Sequence, residues 1–96
     1  MNPIATLEFE AELVREYSAV PNVESLGRRR QRMTLYLQDE GHGLIEWEAG
    51  DDGEGAIIGL LFEGRRVVDF DGVFELPTQA VKLLEAAGYD TAEVAA

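Results

Sequence analysis

The stretch Ala56-Ile57-Ile58-Gly59-Leu60-Leu61-Phe62, closed by Glu63-Gly64 and followed by Arg66-Val67-Val68-Asp69-Phe70, decides the fold. Its apolar residues stand at odd and even positions alike, so as a strand it offers apolar side chains to both sides of a sheet. A turn at Glu63-Gly64 pairs it with Arg66 to Phe70. That pairing sets Ile57, Leu61, Val68 and Phe70 on one face and Ile58, Leu60 and Val67 on the other. A helix can cover one face only. The face of Ile58, Leu60 and Val67 is therefore expected to need a second cover, and a two-fold dimer is the simplest one. Gly59, inside the run, is expected to mark a bulge or a close contact.

Upstream, Met33, Leu35 and Leu37 alternate with Thr34, Tyr36 and Gln38, and Leu44-Ile45-Glu46-Trp47-Glu48 follows a polar stretch from Asp39 to Gly43. This predicts a hairpin with Leu37 opposite Ile45 and Leu35 opposite Trp47. Ala49 to Gly55 reads as a turn. At the start, Leu7, Phe9, Ala11 and Leu13 alternate with Glu8, Glu10 and Glu12, the period of a strand with one wet face. A helix beginning at Asn2-Pro3 is the competing reading, with Ile4, Leu7, Ala11 and Val14 on one stripe. Phe9, Leu13 and Tyr17 would then form a second stripe opposite the first, which favours the strand. Ser18 to Leu26 reads as a connection, with room for a short helical turn at Asn22 to Leu26.

Downstream, Pro77 fits a helix start and Ala80, Val81, Leu84 and Ala87, with Leu83 beside them, make an apolar stripe. Gly88 supplies the stop, after which Tyr89 is expected to fold back on the last turn. Asp90 and Glu93 have capping-box spacing for a further turn from Thr91 to Val94. The reading is a single α+β domain spanning 1–96, a mostly antiparallel sheet of four or five strands with a C-terminal helix packed on one face.

Composition narrows the function classes. At 96 residues the chain builds one modest core, and its hydrophobic share of 46% supports folding despite a formal net charge of −11. There is no cysteine, hence no disulfide, thiolate nucleophile or cysteine-based metal centre. No apolar run approaches the roughly 20 residues of a membrane span, and the beginning MNPIATLEFE lacks the pattern of a signal peptide. A cytoplasmic protein with no membrane partner is expected. The acidic excess repels nucleic-acid phosphates.

The eight cationic residues are mostly clustered: Arg28, Arg29, Arg30 and Arg32 stand together, and Arg65 and Arg66 form a second group. On a strand Arg30 and Arg32 project to one face and Arg29 to the other. The leading expectation is cross-strand pairing with Glu8, Glu10, Glu12, Glu46 or Glu48, and the alternative is recognition of a partner. Trp47, Phe62 and Phe70 alternate with polar residues and are expected in the core. His42 is the only histidine and lies between two glycines, so a turn role is expected rather than general-base catalysis. Asp51, Asp52 and Glu54 lack the twelve-residue calcium-loop spacing and read as a solvated acidic turn.

Val67-Val68-Asp69-Phe70-Asp71-Gly72-Val73-Phe74 resembles the first motif of haloacid-dehalogenase-type phosphatases. That resemblance implies Asp69 as the nucleophile on phosphorus and Asp71 as the acid/base, with magnesium neutralising the phosphate. It also implies a larger parallel α/β domain with a Lys and further Asp residues downstream, and only Glu75 to Ala96 follows here.

No residue is assigned as catalytic, cofactor-binding or metal-ligating. The expected function is that of a non-enzymatic binding or assembly module whose partner is a second copy or another protein. Arg28, Arg29, Arg30, Arg32, Ile58, Leu60 and Val67 are its candidate partner-binding residues. The alternatives are a small-ligand carrier with an apolar pocket between sheet and helix, and the phosphatase-like activity at Asp69 and Asp71.

Overall fold

The structure is a computed structural model in which residues 3–12, 28–49 and 54–95 are described. Five strands follow one another: β1 (Pro3–Glu12), β2 (Arg28–Leu37), β3 (His42–Ala49), β4 (Glu54–Glu63) and β5 (Arg66–Asp71). They form one antiparallel sheet in the order β1-β2-β3-β4-β5, so every neighbour in space is a neighbour in sequence. One helix, α1 (Thr78–Ala86), follows the sheet. The architecture is α+β. The first segment is a strand, as its alternation predicts. The expected connection at 18–26, the end of the first segment beyond Glu12, and Asp51 and Asp52 lie outside the described residues.

Alternation assigns one face of the sheet to the core. Met33 and Leu35 of β2, Ile45 and Trp47 of β3, Ile58, Leu60 and Phe62 of β4 and Val67 of β5 are buried in a single cluster. Ala80, Leu83 and Leu84 of α1 belong to the same cluster, and α1 contacts β1 and β2. Ala5, Leu7 and Phe9 of β1 pack against it, each opposite a buried position of β2. One polar pair is also buried here: Trp47 Nε1–H donates to Gln31 Oε1 at 2.8 Å, which satisfies the indole as burial requires.

Ile58, Leu60 and Val67, expected on a face open to a second subunit, are therefore core residues, with Ile58 and Val67 at 0% exposure. The reason is register. Ile45 pairs with Ile58 and Gly43 with Leu60, so the even positions of β4 continue the face that already holds Leu35, Met33 and Trp47. Ile57 and Leu61 fall on the outer face instead. Phe70 is a second correction. A bulge lets Phe62 pair with Val67 while Leu61 pairs with Asp69 and Leu60 with Phe70. The extra residue moves Phe70 to the side of Leu60, away from Ile57 and Leu61.

Two turns differ from expectation without changing the faces. The β2–β3 loop is tighter than predicted: the His42 N–H donates to Asp39 O at 2.9 Å and the Gln38 N–H to His42 O at 3.0 Å. Leu35 consequently meets Ile45 and Met33 meets Trp47, a slip of two residues that preserves the side of every residue. The β4–β5 turn is Gly64-Arg65, where Glu63 pairs with Arg66 and Gly64 has φ 61°, a conformation open to glycine.

The end of α1 is fixed by a Schellman arrangement. Gly88, at φ 93°, donates to Glu85 O and Tyr89 donates to Leu84 O, both at 3.0 Å. The Tyr89 ring then stacks on Phe62 with centroids 4.6 Å apart, and Arg65 lies 5.2 Å over it. Asp90 completes the clamp: its N–H donates to Arg65 O at 2.7 Å and its carbonyl accepts from Val67 N–H at 2.9 Å. Its carboxylate accepts from Ala92 N–H at 2.9 Å and caps the short last turn. Glu93 pairs with Arg66 at 3.2 Å.

Candidate functional site

The outer face of the sheet divides into three zones. Near one end, β1 and β2 interleave opposite charges: Glu8 stands across from Arg32 and Glu10 across from Arg30, with Glu48 of β3 on the other side of Arg32. Arg30 Nη2 donates to Glu8 Oε2 at 3.1 Å and Arg32 Nη2 to Glu48 Oε2, the two guanidiniums each being held across a strand. The expected cross-strand pairing thus holds for Arg30 and Arg32. Arg28 and Arg29 lie in β2, and their side chains are outside the described set.

Glu48 and Glu46 are two apart on β3, and each carboxyl shifts the other's protonation. The bond from Arg32 chiefly, then that from Glu46, hold Glu48 below the ordinary glutamate range. The bond to Glu48, followed by desolvation and repulsion from Glu48, pushes Glu46 above it. The carboxylates are crowded at this point.

The middle zone is apolar. Ile57, opposite Glu46, is 62% exposed, and Leu61, opposite His42, is 40% exposed. Leu44 and Tyr36, half-buried, adjoin them on β3 and β2. Gly59 lies between Ile57 and Leu61 and leaves a notch in the outer layer, which the Asp71 carboxylate fills. A Cβ at Gly59 would run into the Asp71 carboxylate, which lies over it. The close contact expected at Gly59 is therefore with its cross-strand partner on β5.

The third zone is a groove of about 290 Å³ over this notch, bordered by Gln38, His42, Leu61, Asp69 and Asp71. Asp69 and Asp71 are both exposed and both on the outer side of β5. Asp69 Oδ1 accepts from the Phe70 N–H at 2.9 Å, and His42 Nδ1 is 3.2 Å from Glu40 O. His42 opens β3 rather than sitting in the turn itself. No group of three or more His, Cys, Asp or Glu side chains suited to a metal occurs among the described residues. The strand carrying Asp69 and Asp71 is an antiparallel sheet edge, not the parallel strand that the phosphatase resemblance implies.

The structure therefore gathers Arg30, Arg32, Asp69, Asp71 and His42 on one face and withdraws Ile58, Leu60 and Val67 into the core. Ile57 and Leu61 were missed as surface residues. The signal that could have found them is the acidic run of β3: residues opposite Glu46 and Glu48 belong to the wet side, and one of these is Ile57. Elsewhere Phe74 is 87% exposed beside a groove of about 500 Å³ that includes Leu76, Val81 and Val94. No helix among the described residues is long and apolar enough to cross a membrane. In comparisons with known proteins, no family model matches this chain, and no curated protein or solved structure matches it significantly.

Proposed function

We propose that this chain is a non-enzymatic binding or assembly module that acts through protein–protein contacts on the outer face of its sheet. One observation carries the reading: Ile58 is fully buried while its neighbour Ile57 is 62% exposed on the opposite face. With Leu61, Leu44 and Tyr36 beside it, Ile57 forms an apolar centre inside a charged rim, the anatomy of a protein contact. α1 is taken to cover the buried face, since its apolar residues join that cluster. The outer face is then the side a partner reaches. Arg30 and Arg32 contribute to its rim as part of the ion-pair ladder.

The test is the solution mass by light scattering over a range of concentration and salt, for the wild type and for Ile57→Asp and Leu61→Asp. A multimer that dissociates with either substitution supports assembly of copies through this face. A monomer throughout supports a different protein as the occupant. A multimer that neither substitution disturbs refutes the reading.

The carrier alternative expected an apolar pocket between sheet and helix; the groove of about 500 Å³ available to it lies instead beside α1 near Phe74, with no strand residue in its lining. Displacement of an apolar dye there, blocked by Val81→Trp, is its test.

A further inference from the structure

We propose that the outer face docks a basic, amphipathic segment of another protein, with one Lys or Arg side chain of that segment seated in the groove bordered by His42, Leu61, Asp69 and Asp71. This rests on the reading of the outer face as a protein-binding surface and adds the chemistry of the partner.

Charge supplies the first argument. Among the described side chains of this face, the carboxylates of Glu8, Glu10, Glu46, Glu48, Glu63, Asp69 and Asp71 outnumber the guanidiniums of Arg30, Arg32 and Arg66. These guanidiniums are already held by carboxylates of the same face. The face is thus net negative, on a chain of net charge −11. A second copy would set one such face against another, and like charges brought together oppose association. A cationic partner is attracted by the same field. The crowding that pushes Glu46 upward is relieved when a partner's cation lies beside Glu46 and Glu48.

Shape supplies the second. Ile57 and Leu61 are four residues apart on β4, about 13 Å along the strand, and flank the gap at Gly59. The Asp71 carboxylate fills the space over Gly59, and the groove beside it has Leu61 as an apolar wall and Asp69 and Asp71 on the β5 side. Lys and Arg combine an aliphatic stem with a cationic head. The stem lies along Leu61, the head reaches Asp69 and Asp71, and the partner's flanking apolar residues cover Ile57 and Leu44. Charge-assisted hydrogen bonds at the head give this position its specificity.

The experiment uses the intact chain and three synthetic hexapeptides: alternating Arg and Leu, alternating Ser and Leu, and alternating Glu and Leu. Binding is mapped by amide chemical shifts and measured by titration at low and at moderate salt. The expected result is that only the Arg-Leu peptide binds, that shifts concentrate at Leu44, Gly59, Leu61, Asp69 and Asp71, and that affinity falls as salt rises. Asp69→Asn with Asp71→Asn is expected to weaken binding about tenfold, an effect of about 1.4 kcal/mol, and Ile57→Ser by a similar factor. Glu75→Gln with Glu85→Gln, away from the face, leaves it unchanged. An unaltered fluorescence maximum of buried Trp47 verifies that each variant is folded.

Shifts spread over every acidic surface, or equal losses from the Glu75 and Glu85 variants, overturn the proposal as generic attraction. Absence of Arg-Leu binding also overturns it. If copies of the chain associate through Ile57 in light scattering while that peptide fails to bind, the assembly reading stands and only the basic partner falls.

Discussion

Replacing each of two adjacent isoleucines by alanine tests the assignment of faces on which the functional reading depends. Ile58 has no exposed surface, and Ile57 retains 62%. Ile58→Ala removes buried carbons from a packed cluster, and such truncations cost about 2–5 kcal/mol. A domain of this size is stable by roughly 5–14 kcal/mol, so about 3 kcal/mol is a large share of the total. At about 4–8 °C per kcal/mol, it lowers Tm by roughly 12–24 °C. Ile57→Ala withdraws little from the core, because fully burying such a side chain is worth about 1.5–3 kcal/mol and Ile57 is mostly in water. Lost strand propensity contributes at most about 1 kcal/mol, so a total of roughly 0.5–1 kcal/mol is expected. Urea unfolding followed by Trp47 fluorescence reads both variants, since Trp47 is the chain's single tryptophan and is 5% exposed. The slope with urea should stay constant while the midpoint moves. Equal costs, or a larger cost at Ile57, would refute the face assignment. An Ile57→Ala cost that grows with protein concentration would show the outer face contributing to association instead.

Three further outcomes are expected. In a double-mutant cycle on Gln31→Leu and Trp47→Phe, each single change removes the buried Trp47–Gln31 hydrogen bond and costs about 1–3 kcal/mol; urea midpoints that add without coupling would deny that bond a role. Gly88→Ala is expected to cost about 1–2 kcal/mol by calorimetry, because φ 93° disfavours a side chain although the nearest atom to a Cβ there, Arg65 Nη1, leaves room at 3.6 Å. For pH, Glu48 is depressed in the fold, so it contributes stability above the ordinary glutamate value near 4.5 that is lost as pH falls through its lower folded value. Glu46 has the opposite sign: raised above the same ordinary value, it favours the fold at lower pH and loses that contribution as pH rises through its folded value. Glu48→Gln should therefore flatten the acid limb of the urea midpoint below the ordinary glutamate value, and an unchanged limb would contradict the Arg32–Glu48 pairing.

The proposed activity needs little machinery. A meander sheet with its apolar residues gathered on one side leaves a flat second side whose charges are free to vary. Here that side carries an ion-pair ladder at one end and a carboxylate-lined groove at the other. Consecutive strands pair with one another across the whole sheet, with ladder irregularities between Pro3 and Ala5 of β1 and between Leu61 and Phe62 of β4.

Alternation determined β1 and the β2–β3 hairpin, a continuous apolar run determined β4, and opposite charge the cross-strand role of Arg30 and Arg32, because these are properties of neighbouring residues. The helix and its stop were equally legible in Pro77, the Ala80–Leu84 stripe and Gly88. What alternation could not decide was the side of β4. Its run is apolar at odd and even positions, so either face satisfies a strand pattern, and only the pairing of Ile45 with Ile58 sends Ile57 outward. The position of Phe70 was hidden for a related reason. One bulged residue between Val67 and Asp69 reverses the side of everything after it, and nothing in the local sequence states where a ladder will skip. The close contact at Gly59 likewise exists only when β5 brings the Asp71 carboxylate over it. The strands were thus determined by nearest-neighbour chemistry, and the functional surface by register, a relation between residues that meet only in the folded sheet.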